Sequence, residues 1–106
     1  MAQFVLVYLG GTQPTSQEET SKHFSKYMEW LTSLGDQVVI PTIPLKDTHT
    51  VSPDGSVEEG GSTAMSGFSV IKADSMQAAV EIAQSCPFLE INGTLEVSEM
   101  MEMPLQ

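Results

Sequence analysis

The run Gln3 to Leu9 holds Phe4, Val5, Leu6, Val7, Tyr8 and Leu9 in unbroken succession, so a strand built from it is apolar on both faces. A strand with one wet face alternates apolar and polar residues with a period of two, whereas a continuous apolar run belongs in a sheet covered on both sides. Ser66 to Ala73 has the same character, with Phe68 and Val70 on one face and Ile71 and Ala73 on the other. Only two segments read as helices, and two helices pave one face of a small sheet. The other face then needs a second copy of the chain, and a homodimer is the expected assembly.

Length and charge narrow the function classes. At 106 residues and 41% hydrophobic content, residues 1–106 make one ordinary domain able to bury a core. The formal charge is -10, and the four basic residues, Lys22, Lys26, Lys46 and Lys72, are scattered lysines. Nucleic acid and anionic membrane surfaces both require clustered positive charge, so neither is an expected partner. With no arginine, the bidentate fork that commonly grips carboxylates and phosphates is missing. The acidic excess reads as a solvated surface, and no Cys-x-x-Cys, His-x-x-x-His or calcium-loop spacing points to a metal. Cys86 is the single cysteine, which excludes an intrachain disulfide and suits a reducing cytoplasm. No stretch has the pattern of a secretory leader or the length of a membrane span, so a cytoplasmic location is expected.

Local signals set the order of elements. Gly10, Gly11 and Pro14 close the first strand, and Ser16 with Glu19 three residues on forms a capping box opening a helix over Ser16 to Leu34. At about 100° per residue, His23, Phe24, Tyr27, Met28, Trp30, Leu31 and Leu34 share one arc of that helix, and Gly35 stops it. Val38 to Ile40 is a short strand that Pro41 and Pro44 push to an edge. Thr48 to Ser52 and Ser56 to Glu58, around Pro53-Asp54-Gly55, predict an extra hairpin; Gly60, Gly61 and Ser62 form a flexible connector. Asp74 with Gln77 predicts a second capped helix to about Ser85, with Met76, Ala79, Val80, Ile82, Ala83 and Cys86 on one side, ended by Pro87. Ile91 to Glu99 supplies the last strand, and the apolar tail Met100, Met101, Met103 and Leu105 is expected to pack on a neighbour. Strand, helix, strand, twice over, is the split βαβ order of an α+β, ferredoxin-like fold (βαββαβ), with four antiparallel strands and both helices on one face.

His23 lies in the inward arc of the first helix, where an imidazole titrating near neutral pH can serve as general acid or base. The alternative is a core histidine satisfied by one polar partner. Tyr8, Tyr27, Trp30 and Phe68 are candidate ligand-binding residues, an aromatic wall for a flat, neutral ligand, although core packing also accounts for such rings. Cys86 is a candidate nucleophile beside an imidazole, opposed by the negative end of the helix it terminates. His49, Asp36 and Asp47 read as turn and loop residues.

The strand Phe4-Val5-Leu6-Val7-Tyr8, the helical His23 with its amphipathic run, Ser66-Gly67-Phe68 and Cys86-Pro87 together resemble the YCII-related family, including its DGPF-named branch, over nearly the whole chain. The resemblance implies a dimeric α/β barrel enclosing a cleft and an enzyme-like site of a histidine and an aspartate. His23 matches that histidine; the aspartate position falls on Cys86, and Asp54-Gly55 is followed by Ser56-Val57 in place of the named motif. Two functions follow: a small enzyme without a cofactor, transferring a proton through His23 on a small organic molecule, or a non-catalytic ligand-binding or accessory dimer with a degenerate site.

Overall fold

The computed structural model describes residues 1–12, 16–61 and 63–101. In chain order the elements are β1 (Ala2–Gly10), α1 (Gln17–Leu34), a 3₁₀ turn (Gly35–Gln37), β2 (Val38–Pro44), β3 (His49–Val51), β4 (Val57–Glu59), β5 (Met65–Ala73), α2 (Met76–Gln84), a second 3₁₀ turn (Pro87–Ile91) and β6 (Gly93–Glu99). The main sheet has the order β2-β5-β1-β6, and its neighbours are antiparallel. This is the mixed α+β, ferredoxin-like arrangement that the element order predicts.

Position in the sheet follows the apolar pattern. The two strands that are apolar on both faces, β1 and β5, take the centre, with Leu6 opposite Ser69 and Val5 opposite Val70. Pro41 and Pro44 lack an N–H to donate, and β2 takes an edge, where register shifts on either side of Ile40 absorb the irregular backbone. At the other edge β6 alternates, with Leu95 and Val97 half-buried and Glu96 and Ser98 exposed. The predicted hairpin is present as the separate β3–β4 pair, Val51 opposite Val57, and its turn is held by Asp54 Oδ1 accepting from the Ser56 N–H at 2.9 Å.

The two faces of the sheet have different fates. Phe4, Leu6, Tyr8, Ile71 and Ala73 point to one side and form the core with Trp30 of α1, Ala79 and Ala83 of α2, and Cys86 and Phe88 of the turn after it. The small alanines let α2 approach the sheet closely. On the other side, register places Val5, Val7, Phe68, Val70, Ile40 and Ile43 together. No described helix covers this second face, and Ile43 remains 40% exposed.

Several local expectations change. Ser16 caps α1 as predicted, accepting from the Glu19 N–H at 3.0 Å. The inward arc is narrower than its hydrophobicity suggests, since Phe24 and Met28 are 65% and 47% exposed while His23, Tyr27, Leu31 and Leu34 are half-buried. Two helices sharing one sheet face each bury only a line of residues, and Phe24 and Met28 sit on its flank. The same applies to Met76 and Val80 of α2, which remain exposed. The cap of α2 is Ser75, accepting from the Ala78 N–H at 3.1 Å, and Asp74 stays outside it. The second 3₁₀ turn delays the last strand from Ile91 to Gly93. Met100 and Met101 are exposed; Met103 and Leu105 lie outside the described residues, as do Pro14 and Ser62.

That turn exists because Pro87 cannot continue a helix and Phe88 finds a place beneath β1 and β6. The Phe88 ring lies 5.2 Å from the Tyr8 ring, centroid to centroid. It also occupies the space where a side chain on Gly93 would project, and a Cβ on Gly11 would lie 2.9 Å from it. Gly93→Ala is therefore expected to displace Phe88 and lower stability by about 1–3 kcal/mol, the usual cost of overpacking. A thermal midpoint measured beside the parent protein checks this; an unchanged midpoint contradicts the packing described.

Candidate functional site

The site is organised by one face of α1. His23, Tyr27 and Trp30 are spaced four and three residues apart, so they stack along a single stripe of the helix. Tyr27 is the centre of that stripe: its ring meets His23 at 5.2 Å (80° between planes), Trp30 at 5.8 Å (89°) and Tyr8 of the sheet at 6.3 Å (83°). These edge-to-face contacts are the favoured arrangement for aromatic pairs.

Beneath the stripe lies a small group of buried polar atoms. The Tyr8 hydroxyl is 2.7 Å from Ser69 Oγ and 3.1 Å from Thr42 Oγ1, so a phenol from β1 is satisfied by β5 and β2. The Cys86 thiol donates to the Tyr27 oxygen at 3.6 Å. Burial dominates the acidities here. It raises the Tyr8 phenol, with the Ser69 and Thr42 hydrogen bonds opposing, and it pushes the Cys86 thiol up, with opposition from the Phe88 amide and the two tyrosines. Burial raises Tyr27 furthest, and the neighbouring Tyr8 and Cys86 reinforce it. All three groups are neutral throughout the physiological range.

Outside this group the chain forms an open groove of about 810 Å³ between the first turns of α1 and the end of the second 3₁₀ turn. His23 lines it with Lys22, Lys26 and Glu19 of α1 on one side and Glu90, Ile91 and Asn92 on the other. The far wall is built by Asn92, in the left-handed conformation at φ 63°, whose amide donates to Thr12 Oγ1 at 3.3 Å. Lys26 Nζ reaches Glu90 Oε2 at 3.1 Å and joins the walls. Beyond this ion pair is a smaller groove of about 380 Å³, lined by Cys86 and by Ser85, Pro87 and Leu89. His23 and Cys86 thus face different grooves, and Tyr27 is what touches both.

The YCII-related domain matches residues 4–104. This protein belongs to the YCII-related family. No curated protein matches it in sequence. Among solved structures it is similar to 5-chloro-2-hydroxyhydroquinone dehydrochlorinase from Burkholderia phenoliruptrix AC1100, whose structure is a complex with 2,5-dihydroxybenzoquinone. That likeness has a TM-score of 0.57 at 15% identity and covers 94% of this chain and 95% of the other, so the two share a fold.

Within this YCII-family chain the candidate residues divide into three groups. His23 and Tyr27 are half-buried, His23 on the groove wall and Tyr27 behind it. Tyr8 and Trp30 are 2% and 6% exposed and serve the core, Trp30 donating its indole N–H to Ser85 Oγ at 2.9 Å. Phe68 projects from the opposite face of the sheet, because its neighbour Val7 alternates with Tyr8. Of the four expected ligand-binding aromatics, Tyr8, Tyr27 and Trp30 come together, and period-two alternation separates Phe68 from them. His49, bonded through Nδ1 to the Asp47 carbonyl, and Asp36 belong to neither groove. Sequence reasoning did not single out Phe88, Ser69, Thr42 or the Lys26–Glu90 pair; only the Phe88 run after Pro87 carried a signal, an apolar residue behind a helix stop. No described helix is long and apolar enough to cross a membrane.

The buried acids set an alkaline limit. Their folded pKa values exceed the ordinary 9.0 of a thiol and 10.0 of a phenol, so in rising pH the unfolded chain loses these protons first. Stability is then full below about pH 8 and falls from about pH 9 upward, by up to ~1.4 kcal/mol per pH unit for each group between its two pKa values. Denaturant midpoints taken from pH 7 to 11 are expected to show this fall, and Cys86→Ala to remove its onset near pH 9. In the native protein at pH 8, Cys86 is expected to react with a disulfide reagent far more slowly than after unfolding.

Proposed function

We propose that this YCII-family protein is a small cytoplasmic enzyme in which His23 transfers a proton to or from a small organic ligand held in the groove between α1 and the second 3₁₀ turn. The observation that carries this reading is the position of His23, half-buried, packed edge-to-face against Tyr27, and on the wall of a groove large enough for a small molecule. An imidazole in that setting can take a proton from a hydroxyl or an acidic carbon and return it to another atom of the same ligand. Such a transfer asks for no cofactor. Lys22 and Lys26, each already near a carboxylate, can exchange that partner for the negative charge a deprotonated ligand develops. The dehydrochlorinase of the same fold was solved with a hydroxylated quinone, which makes hydroxylated rings the first class to screen.

One observation favours a second reading, a ligand-binding or accessory protein without catalysis. Cys86 is buried, neutral and bonded to Tyr27, so it offers His23 no charge partner. Hydroxylated benzenes and quinones, 2,5-dihydroxybenzoquinone among them, tested by thermal shift and then for turnover, separate the two. Catalysis requires a ligand that raises the midpoint and is converted, with His23→Gln lowering kcat by about 10²–10⁴-fold while binding persists. Binding with no turnover in either protein supports the second reading, and the absence of any ligand removes both.

The working assembly on this proposal is a homodimer stacked through the open sheet face. Val5, Val7 and Phe68 present a contiguous apolar surface there, which a second copy would remove from water. Sedimentation at micromolar concentration is expected to give a dimer. Phe68→Asp is expected to give a folded monomer, since its side chain is absent from the core under the helices. A monomeric parent protein would rule the assembly out.

A further inference from the structure

The segment Ser85 to Glu90 holds α1 at three successive points. Ser85 Oγ accepts the Trp30 indole N–H at 2.9 Å, the Cys86 thiol donates to the Tyr27 oxygen at 3.6 Å, and Glu90 accepts from Lys26 Nζ at 3.1 Å. Trp30, Tyr27 and Lys26 span just over one turn of α1, and His23 follows one turn earlier on the same stripe. The segment is itself rigid. The Cys86 N–H donates to the Ala83 carbonyl at 3.1 Å, the Leu89 N–H to the Cys86 carbonyl at 3.2 Å, and Pro87 fixes the backbone between them.

From this geometry we infer that Cys86 is a positioning residue for His23: by holding the Tyr27 hydroxyl, the thiol sets the angle of the Tyr27 ring, and that ring sets the imidazole on the groove wall. The inference rests on the reading of His23 as the proton-transfer group for its functional importance, though the mechanical link stands apart from it. Cys86 and His23 line different grooves, which places the thiol outside the groove that would hold the ligand. What connects them is one aromatic ring, anchored at its hydroxyl by Cys86 and met edge-on by His23 at 5.2 Å. Trp30 and Tyr8 meet the Tyr27 ring edge-to-face, and at its hydroxyl end the Cys86 thiol holds the phenol together with the Tyr8 hydroxyl.

The test reads the His23 ring protons by NMR in the full chain. Cys86→Ala removes the anchor and is expected to shift the His23 signals; Cys86→Ser keeps a donor and is expected to bring them part of the way back. Tyr27→Phe removes the same bond from its other end and is expected to shift them as well. Ile71→Val, a core truncation at the opposite end of β5, is expected to leave them in place. Unmoved His23 signals in a folded Cys86→Ala protein overturn the inference, as does an equal shift in Ile71→Val. Where Cys86→Ala does not fold, Tyr27→Phe decides by the same criterion. The measurement needs no substrate. Shifted signals without turnover would uphold the positioning link and refute the enzyme, and turnover with unmoved signals would do the reverse.

Discussion

Along the middle of the sheet β1 and β5 run antiparallel, with Phe4 opposite Ile71, Leu6 opposite Ser69 and Tyr8 opposite Gly67, and this pairing decides what every other element can do. A one-residue slip would turn Phe4, Leu6 and Tyr8 out of the helix-covered face and bring Val5 and Val7 in. Because both sets are apolar, hydrophobicity alone does not choose between them. Shape and polarity do: this register puts the Tyr8 hydroxyl within reach of Ser69 and Thr42, and it sets Gly67 where the Ile43 carbonyl of β2 comes too close for any side chain. A buried phenol without partners costs about 1–3 kcal/mol, enough to select the register that satisfies it.

With the register set, the site follows. Tyr8 rises from the sheet beneath α1 and meets Tyr27, which brings the stripe of His23, Tyr27 and Trp30 to the helix-covered side of β1. Phe88 fills the adjoining space, and the turn that carries it also supplies Glu90, Ile91 and Asn92 to the groove. One aromatic cluster thus joins the core to the groove wall, and the same residues serve both stability and placement.

Much of this was legible in the sequence, for physical reasons that differ by element. Two doubly apolar segments could only be central strands, two prolines could only sit at an edge, and the Ser16–Glu19 capping box marked the start of α1. Asp-Gly marked the hairpin turn. The misreadings share a cause: periodicity ranks residues by angle, while burial depends on what stands opposite. Phe24 and Met28 fall at one edge of the apolar arc, on the flank of the line Tyr27, Trp30 and Leu34 that meets the core, and stay exposed. Asp74 and Ser75 are both competent caps, and only the backbone path, extended at Ser75, separates them. The groove was the least legible part. Its walls come from residues 12, 18–26 and 90–92, which tertiary structure brings together and no local pattern announces.

The family resemblance implies a carboxylate at position 86, and a thiol there changes the kind of influence the position can exert. A carboxylate acts through charge, over several ångströms, and raises the basicity of an imidazole it faces. A thiol that is buried at the end of a helix, against the negative pole of that helix, stays neutral and acts only through contact. Contact requires a continuous path of touching groups, and here Tyr27 is that path. A site arranged this way keeps its imidazole on the solvent side of an aromatic layer and its thiol on the other. The dependence of His23 on Cys86 is then one of angle and position, carried by a ring that neither gains nor loses a proton.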